Sequence, residues 1–156
     1  MNSLIKFSMS QGFSVKEFQE YLKEQVQKIC NDNRLNIDNQ KERSRAFNIW
    51  IAKLYKENNR YIETDPHDSL LGESKDLNID VYLEDNDDKV IYLIQSEFTG
   101  TSKKSKSANV DEGKVSNFFG NHENLIDRKW VKKFGNKIAH EYLRDYKKLI
   151  EEESYQ

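Results

Sequence analysis

The sequence predicts an α/β domain, and three observations predict it. Two amphipathic stretches with apolar residues three and four apart occupy the first sixty positions, an alternating stretch faces an apolar run across "DNDDK", and helical spacing returns after residue 110. A length of 156 residues suits one domain with a single core, so 1–156 is read as that domain.

"SVKEFQEYLKEQVQKICND" opens with a capping box, Ser14 and Glu17, and then repeats Phe18, Leu22, Val26 and Ile29, which predicts a helix over about residues 15–31. Cys30 is the only cysteine, so one chain can build neither a disulfide nor a thiolate zinc site; a small buried side chain is expected there. "NQKERSRAFNIWIAKLYKENN" gives a second helix, with a wide apolar face from Ala46 to Tyr55 that ends at Asn58-Asn59. A short extended piece at "RYIET" and a polar loop around Pro66 follow. "NIDVYLE" places Ile79, Val81 and Leu83 on one strand face and Asp80 and Tyr82 on the other, and "VIYLIQSEF" returns as the opposing strand. "TGTSKKSKSAN" is Ser/Lys-rich and reads as a loop. Helices are expected near "DEGKVSNFFGN" and "ENLIDRKWVKKF". A last continuous helix, "NKIAHEYLRDYKKLI", places Ile138, Tyr142, Tyr146 and Leu149 on one face. The stop at "EEESYQ" soon afterwards is compatible with the N-terminal part of a longer protein.

No apolar run reaches membrane-span length and the start lacks the apolar core of a secretory signal, so a cytoplasmic protein away from membranes is the expectation. Net charge is −2, but it is unevenly spread: residues 57–100 carry twelve acidic and three basic side chains, and residues 101–156 carry nine acidic and twelve basic. An acidic metal-binding centre beside a phosphate-facing flank fits that asymmetry; two solvated surfaces fit it as well.

In "KVIYLIQSEFTG" a strand that begins apolar acquires Gln95 and Glu97 where burial should be deepest. Alternation puts both on one face, and the short turn brings Asp80 into their neighbourhood. Two carboxylates and an amide oxygen make a hard-oxygen site suited to Mg²⁺ or Mn²⁺. The competing reading is a strand that emerges into solvent at Gln95. Lys103, Lys104 and Lys106 follow at once and are candidates for phosphate contact, as are Arg128, Lys129, Lys132 and Lys133 around Trp130. The aromatic residues Phe118, Phe119, Trp130 and Phe134 sit at helical spacing and read as packing against the sheet. His67, His122 and His140 are scattered and lack metal-ligand spacing, and the chain has no glycine-rich phosphate loop.

"LNIDVYLEDNDDKVIYLIQSEF", preceded by a helix containing "ERSRAFNIW", resembles the N-terminal domain of the abortive infection phage resistance (AIPR) family over roughly residues 40–130. The resemblance implies a restriction-endonuclease-like, PD-(D/E)xK core: a small mixed sheet flanked by helices. It further implies a metal-dependent nuclease acting on DNA in preference to RNA in anti-phage defence, with Mg²⁺ or Mn²⁺ as cofactor and homo-oligomers or C-terminal domains as partners. Asp80 then takes the metal-ligand position, Gln95 the Glu/Gln position and Glu97 the position of the usual Lys, while Glu42 on the second helix supports the metal. Asn39 and Glu42 also fit a capping box, which needs no metal. Glu97 departs from the pattern, because a carboxylate cannot supply the positive charge of Lys. Three readings remain: Glu97 as an extra ligand or base, Lys103 or Lys104 swinging in, or a catalytically silent nucleic-acid-binding or assembly domain of a larger defence protein.

Overall fold

The computed structural model describes residues 14–72, 74–98 and 112–156. The elements run α1 (Val15–Asp32), α2 (Gln40–Asn58), β1 (Val81–Asp85), β2 (Val90–Ile94), α3 (Glu112–His122), a 3₁₀ turn (Glu123–Ile126), α4 (Arg128–Phe134), α5 (Lys137–Tyr142) and α6 (Tyr146–Glu151). This is a small α/β domain in three layers.

In the first layer α1 packs on α2. The capping box forms as the sequence predicts: Ser14 Oγ accepts from Glu17 N at 3.2 Å, and the Glu17 carboxylate takes Ser14 N at 2.9 Å. Val26, Ile29 and Cys30 meet Ala46 and Ile49, all buried. Phe18, at the start of the apolar repeat, is half-exposed.

The second layer is the hairpin. The sequence leads to a small mixed sheet; among the described residues the named strands form one two-stranded antiparallel sheet, with Val81 opposite Ile94 and Asp85 opposite Val90. Each outer edge carries an irregular addition. Along β1, Leu71 N donates to Asp80 O at 3.1 Å and Tyr82 N to Ser69 O at 2.9 Å; Ile62 bridges to Asp85. Along β2, Gln156 N donates to Lys89 O at 2.9 Å and Ile91 N to Gln156 O at 2.9 Å. Buried Asp85 closes the turn, its Oδ1 accepting from Asp87 N and Asp88 N at 3.1 and 2.9 Å.

Both sheet faces are covered. Val81 and Leu83 pack toward α2 through Ala52 and Tyr55, whereas Tyr82 and Ile91 pack on Leu125, Val131, Ala139, Leu143 and Tyr146 in the third layer. Full burial of a branched aliphatic side chain such as Val81, Leu83, Val131 or Leu143 contributes about 1.5–3 kcal/mol. Ile79 was expected beside Val81 and Leu83, yet it belongs with Tyr82. The reason is local: Asp80 N also donates to Ile94 O, at 2.8 Å, so Asp80 and Val81 both face Ile94. One extra residue of this kind is a β-bulge, and it reverses the alternation behind it.

The continuous helix expected over "NKIAHEYLRDYKKLI" is broken into α5 and α6. Aspartate competes for local hydrogen bonds and is a poor helix-interior residue. Asp145, at the break, is engaged by the guanidinium groups of Arg144 and Arg128. The face that turns inward is Ala139, Leu143 and Tyr146; Ile138 is partly exposed. Phe118 and Trp130 pack against the core as expected, while Phe119 and Phe134 are exposed. Among the described residues no helix is long and apolar enough to cross a membrane.

Candidate functional site

The polar residues of α2 form a stripe beside its apolar face. Lys41, Ser44, Arg45 and Asn48 recur at three- and four-residue spacing and line a cleft of about 810 Å³. The opposite wall comes from the loop before β1, with His67, Asp68, Gly72, Asp76 and Asp80, and from α5, with Ile138, Glu141 and Tyr142.

The loop is held in an unusual shape. Lys75, Leu77 and Asn78 have left-handed φ values of 54°, 61° and 61°, which non-glycine residues adopt at a cost of about 1 kcal/mol or more each. Asn136 keeps it there. Its Nδ2 donates to Leu71 O and Ser74 O at 2.7 and 2.9 Å, its backbone N–H goes to Lys75 O at 2.7 Å, and its Oδ1 caps α5 by accepting from Ala139 N. Gly72 has φ 106°, a backbone conformation that favours glycine, and a Cβ there would stand 3.0 Å from Asn136 Nδ2 and press on the side chain that holds the loop.

The bulge places Asp80 on the cleft wall. Its Oδ2 accepts from Ser96 N at 2.6 Å and from Gln95 Nε2 at 2.8 Å. Ser96 Oγ in turn makes a short hydrogen bond to Asn48 Oδ1 on α2. The Gln95 amide oxygen is buried and has no hydrogen-bond partner. Burial pushes the Asp80 carboxyl above the usual carboxylate range; the Ser96 N–H opposes this and the charge of Asp76 adds to it. Burial raises Asp76 as well, against a hydrogen bond from Asn78 N.

Asp80 and Gln95 therefore meet, as the hairpin implies. Glu97 does not join them. The chain leaves the ladder after Ile94, so strict alternation no longer applies. Ser96 is tied to Asn48, and the Phe98 ring stands 5.0 Å from that of Phe47. Between these anchors Glu97 Oε1 pairs with Lys114 Nζ of α3 at 2.9 Å, both side chains about half exposed. Glu42 Oε2 accepts from Asn36 N at 2.7 Å, and Asn39 Oδ1 accepts from Glu42 N at 3.4 Å, so the helix start is capped at two points. Lys103, Lys104 and Lys106 lie outside the described residues. Among the described residues no group of three His, Cys, Asp or Glu side chains has metal-binding geometry.

Sequence reasoning missed Asn48, Asp76, Ser96 and Lys114. The Lys41-Ser44-Arg45-Asn48 spacing was a readable signal for Asn48. Asp76 reaches the cleft through loop shape, whereas Lys114 meets Glu97 outside it through tertiary packing; local periodicity carries neither. Compared with known proteins, the chain matches no family model, no curated protein and no solved structure.

Proposed function

We propose that the cleft takes a divalent cation and that the domain hydrolyses phosphodiester bonds of nucleic acid, DNA in preference to RNA, in defence against phage. The observation that carries this reading is the contact of Asp80 with Gln95, whose amide oxygen is buried and unpartnered. The Asp80 and Asp76 carboxylates on the cleft wall are hard donors that fit Mg²⁺ or Mn²⁺, and the buried Gln95 amide oxygen, which is not part of the cleft lining, joins them only by turning toward the cleft. Such an ion supplies a more acidic bound water and stabilises charge on the phosphodiester.

The chain's own residues prepare the site. Ser96 N–H and Gln95 Nε2 orient the Asp80 carboxylate, and the strained loop holds Asp76 beside it. Arg45 on the same cleft offers positive charge to a phosphate, joined in this reading by Lys103, Lys104 and Lys106. Glu97 and Glu42 serve a metal only by giving up the partners described above. The antiparallel contact of residues 69–71 with β1 supports a restriction-endonuclease-like core, since it widens the hairpin toward a larger sheet.

A silent nucleic-acid-binding domain of a larger defence protein is the second reading, favoured by the Glu97–Lys114 pair. The test is a cleavage assay with Mg²⁺ or Mn²⁺ beside thermal melts. Wild type should cleave and melt higher with Mn²⁺, and Asp80→Asn should lose both effects. Gln95→Ala, which removes one of the two hydrogen bonds that orient the Asp80 carboxylate, should cost roughly 10–100-fold in activity or metal affinity. Nucleic-acid binding without cleavage under either metal, and no Mn²⁺ effect on the melt, selects the silent domain.

A further inference from the structure

The outer edge of β2 is followed by a groove of about 830 Å³, whose apolar walls include Ile91, Leu93, Phe118, Ile126, Ile150 and Tyr155. Phe119, also on this groove, is 68% exposed and Ile126 37%. The two hydrogen bonds of Gln156, to Lys89 O and from Ile91 N, are the pair that one residue makes when it adds to a neighbour in parallel. They set Gln156 beside Val90 and direct the line that leaves it along β2 toward Leu93. Backbone groups on a strand point alternately to its two edges, so Leu93 N–H points the same way as Ile91 N–H. Consistently, Tyr82, which faces Leu93 across the ladder, sends its own N–H away from β2 to Ser69 O.

We infer that this edge docks an extended peptide strand, parallel to β2 and in line with Gln156, with apolar side chains at alternate positions. Tyr155 already follows that rule, since it is buried with Ile91 in the third-layer core. The first and third residues beyond Gln156 in such a strand put their side chains on the Ile91–Leu93 face, into the groove. The second and fourth use their backbone to continue the ladder. Main-chain bonds then give affinity and the apolar pockets give selectivity.

The test appends Val-Thr-Val-Thr directly after Gln156, with Val-Pro-Val-Pro as the control that keeps the apolar residues but removes the ladder N–H groups. The Thr version should slow exchange of the Leu93 amide at least tenfold and raise the melting temperature, with the protein monomeric; the Pro version should do neither. Unchanged Leu93 exchange in the Thr version overturns the inference. Equal effects of the two tails show apolar contact without strand addition, and Leu93 protection that depends on protein concentration assigns the edge to a second copy; either result also overturns it.

Discussion

Asp80 shows how one residue is shaped by the layers around it. A raised carboxyl pKa means that the folded state holds the proton more tightly than the unfolded chain. Between the ordinary carboxylate value of about 4 and the raised value the native state binds more protons, so its stability falls as pH rises through that window and stays lower above it. Asp80→Asn keeps an oxygen for Ser96 N–H and removes the buried charge. Without divalent metal the variant should therefore melt higher than wild type at pH 7, and the difference should shrink below about pH 4. A variant that melts lower at pH 7 would mean that the charged hydrogen bond from Ser96 outweighs desolvation. Asp80 and Gln95 were legible in the sequence because a hairpin with a short turn has few registers. Glu97 was not, since its direction depends on Ser96 and Phe98 docking on α2, contacts between residues fifty apart in the chain.

Elements were legible where local chemistry decides them. The caps at Ser14 and Asn39, the apolar face of α2 and the turn at Asp85 are all short-range, and the structure holds each of them. The bulge at Asp80 and the break at Asp145 were not: the bulge rests on one extra backbone hydrogen bond to Ile94 O, and at the break the apolar periodicity runs on through an aspartate that Arg144 and Arg128 hold. The loop between residues 72 and 78 is the element most open to test. Asn136 satisfies two of its carbonyls and caps α5 as well, so Asn136→Ala should cost about 2 kcal/mol, the upper end for loss of an N-cap. It should also weaken any metal effect at Asp76 and Asp80. Lys75→Gly works in the opposite sense: it relieves a left-handed residue at the expense of chain entropy, so denaturant melts should show a gain of about 1 kcal/mol or less. A clear loss in that variant would show that the Lys75 side chain itself holds the loop.

Across the whole molecule, stability should follow the layers. The hairpin is packed on both faces, through Val81 and Leu83 to α2 and through Tyr82 and Ile91 to the C-terminal helices, so it cannot open without breaking two of the three core clusters. The first turns of α1 have much less to lose. Every residue from Ser14 to Glu20 is exposed, with Val15 at 74%; partly buried Leu22 is the first to touch the core and Val26 the first to be fully buried. Local opening draws on segments with few buried apolar contacts, whereas the elements between layers open only with the global transition. Amide exchange should therefore be graded along the chain: fast at Phe18 to Tyr21, slower at Ile29 and Cys30, and slowest at Leu83 and Tyr92. Leu83→Ala should lower global stability by about 2–5 kcal/mol and carry the slowest amides down with it, because the cavity lies where the layers meet. Phe18→Ala, at a half-exposed position, should leave those amides unchanged. Equal protection in α1 and the hairpin, or a Phe18→Ala effect as large as that of Leu83→Ala, would mean that the first layer folds as one cooperative unit with the sheet.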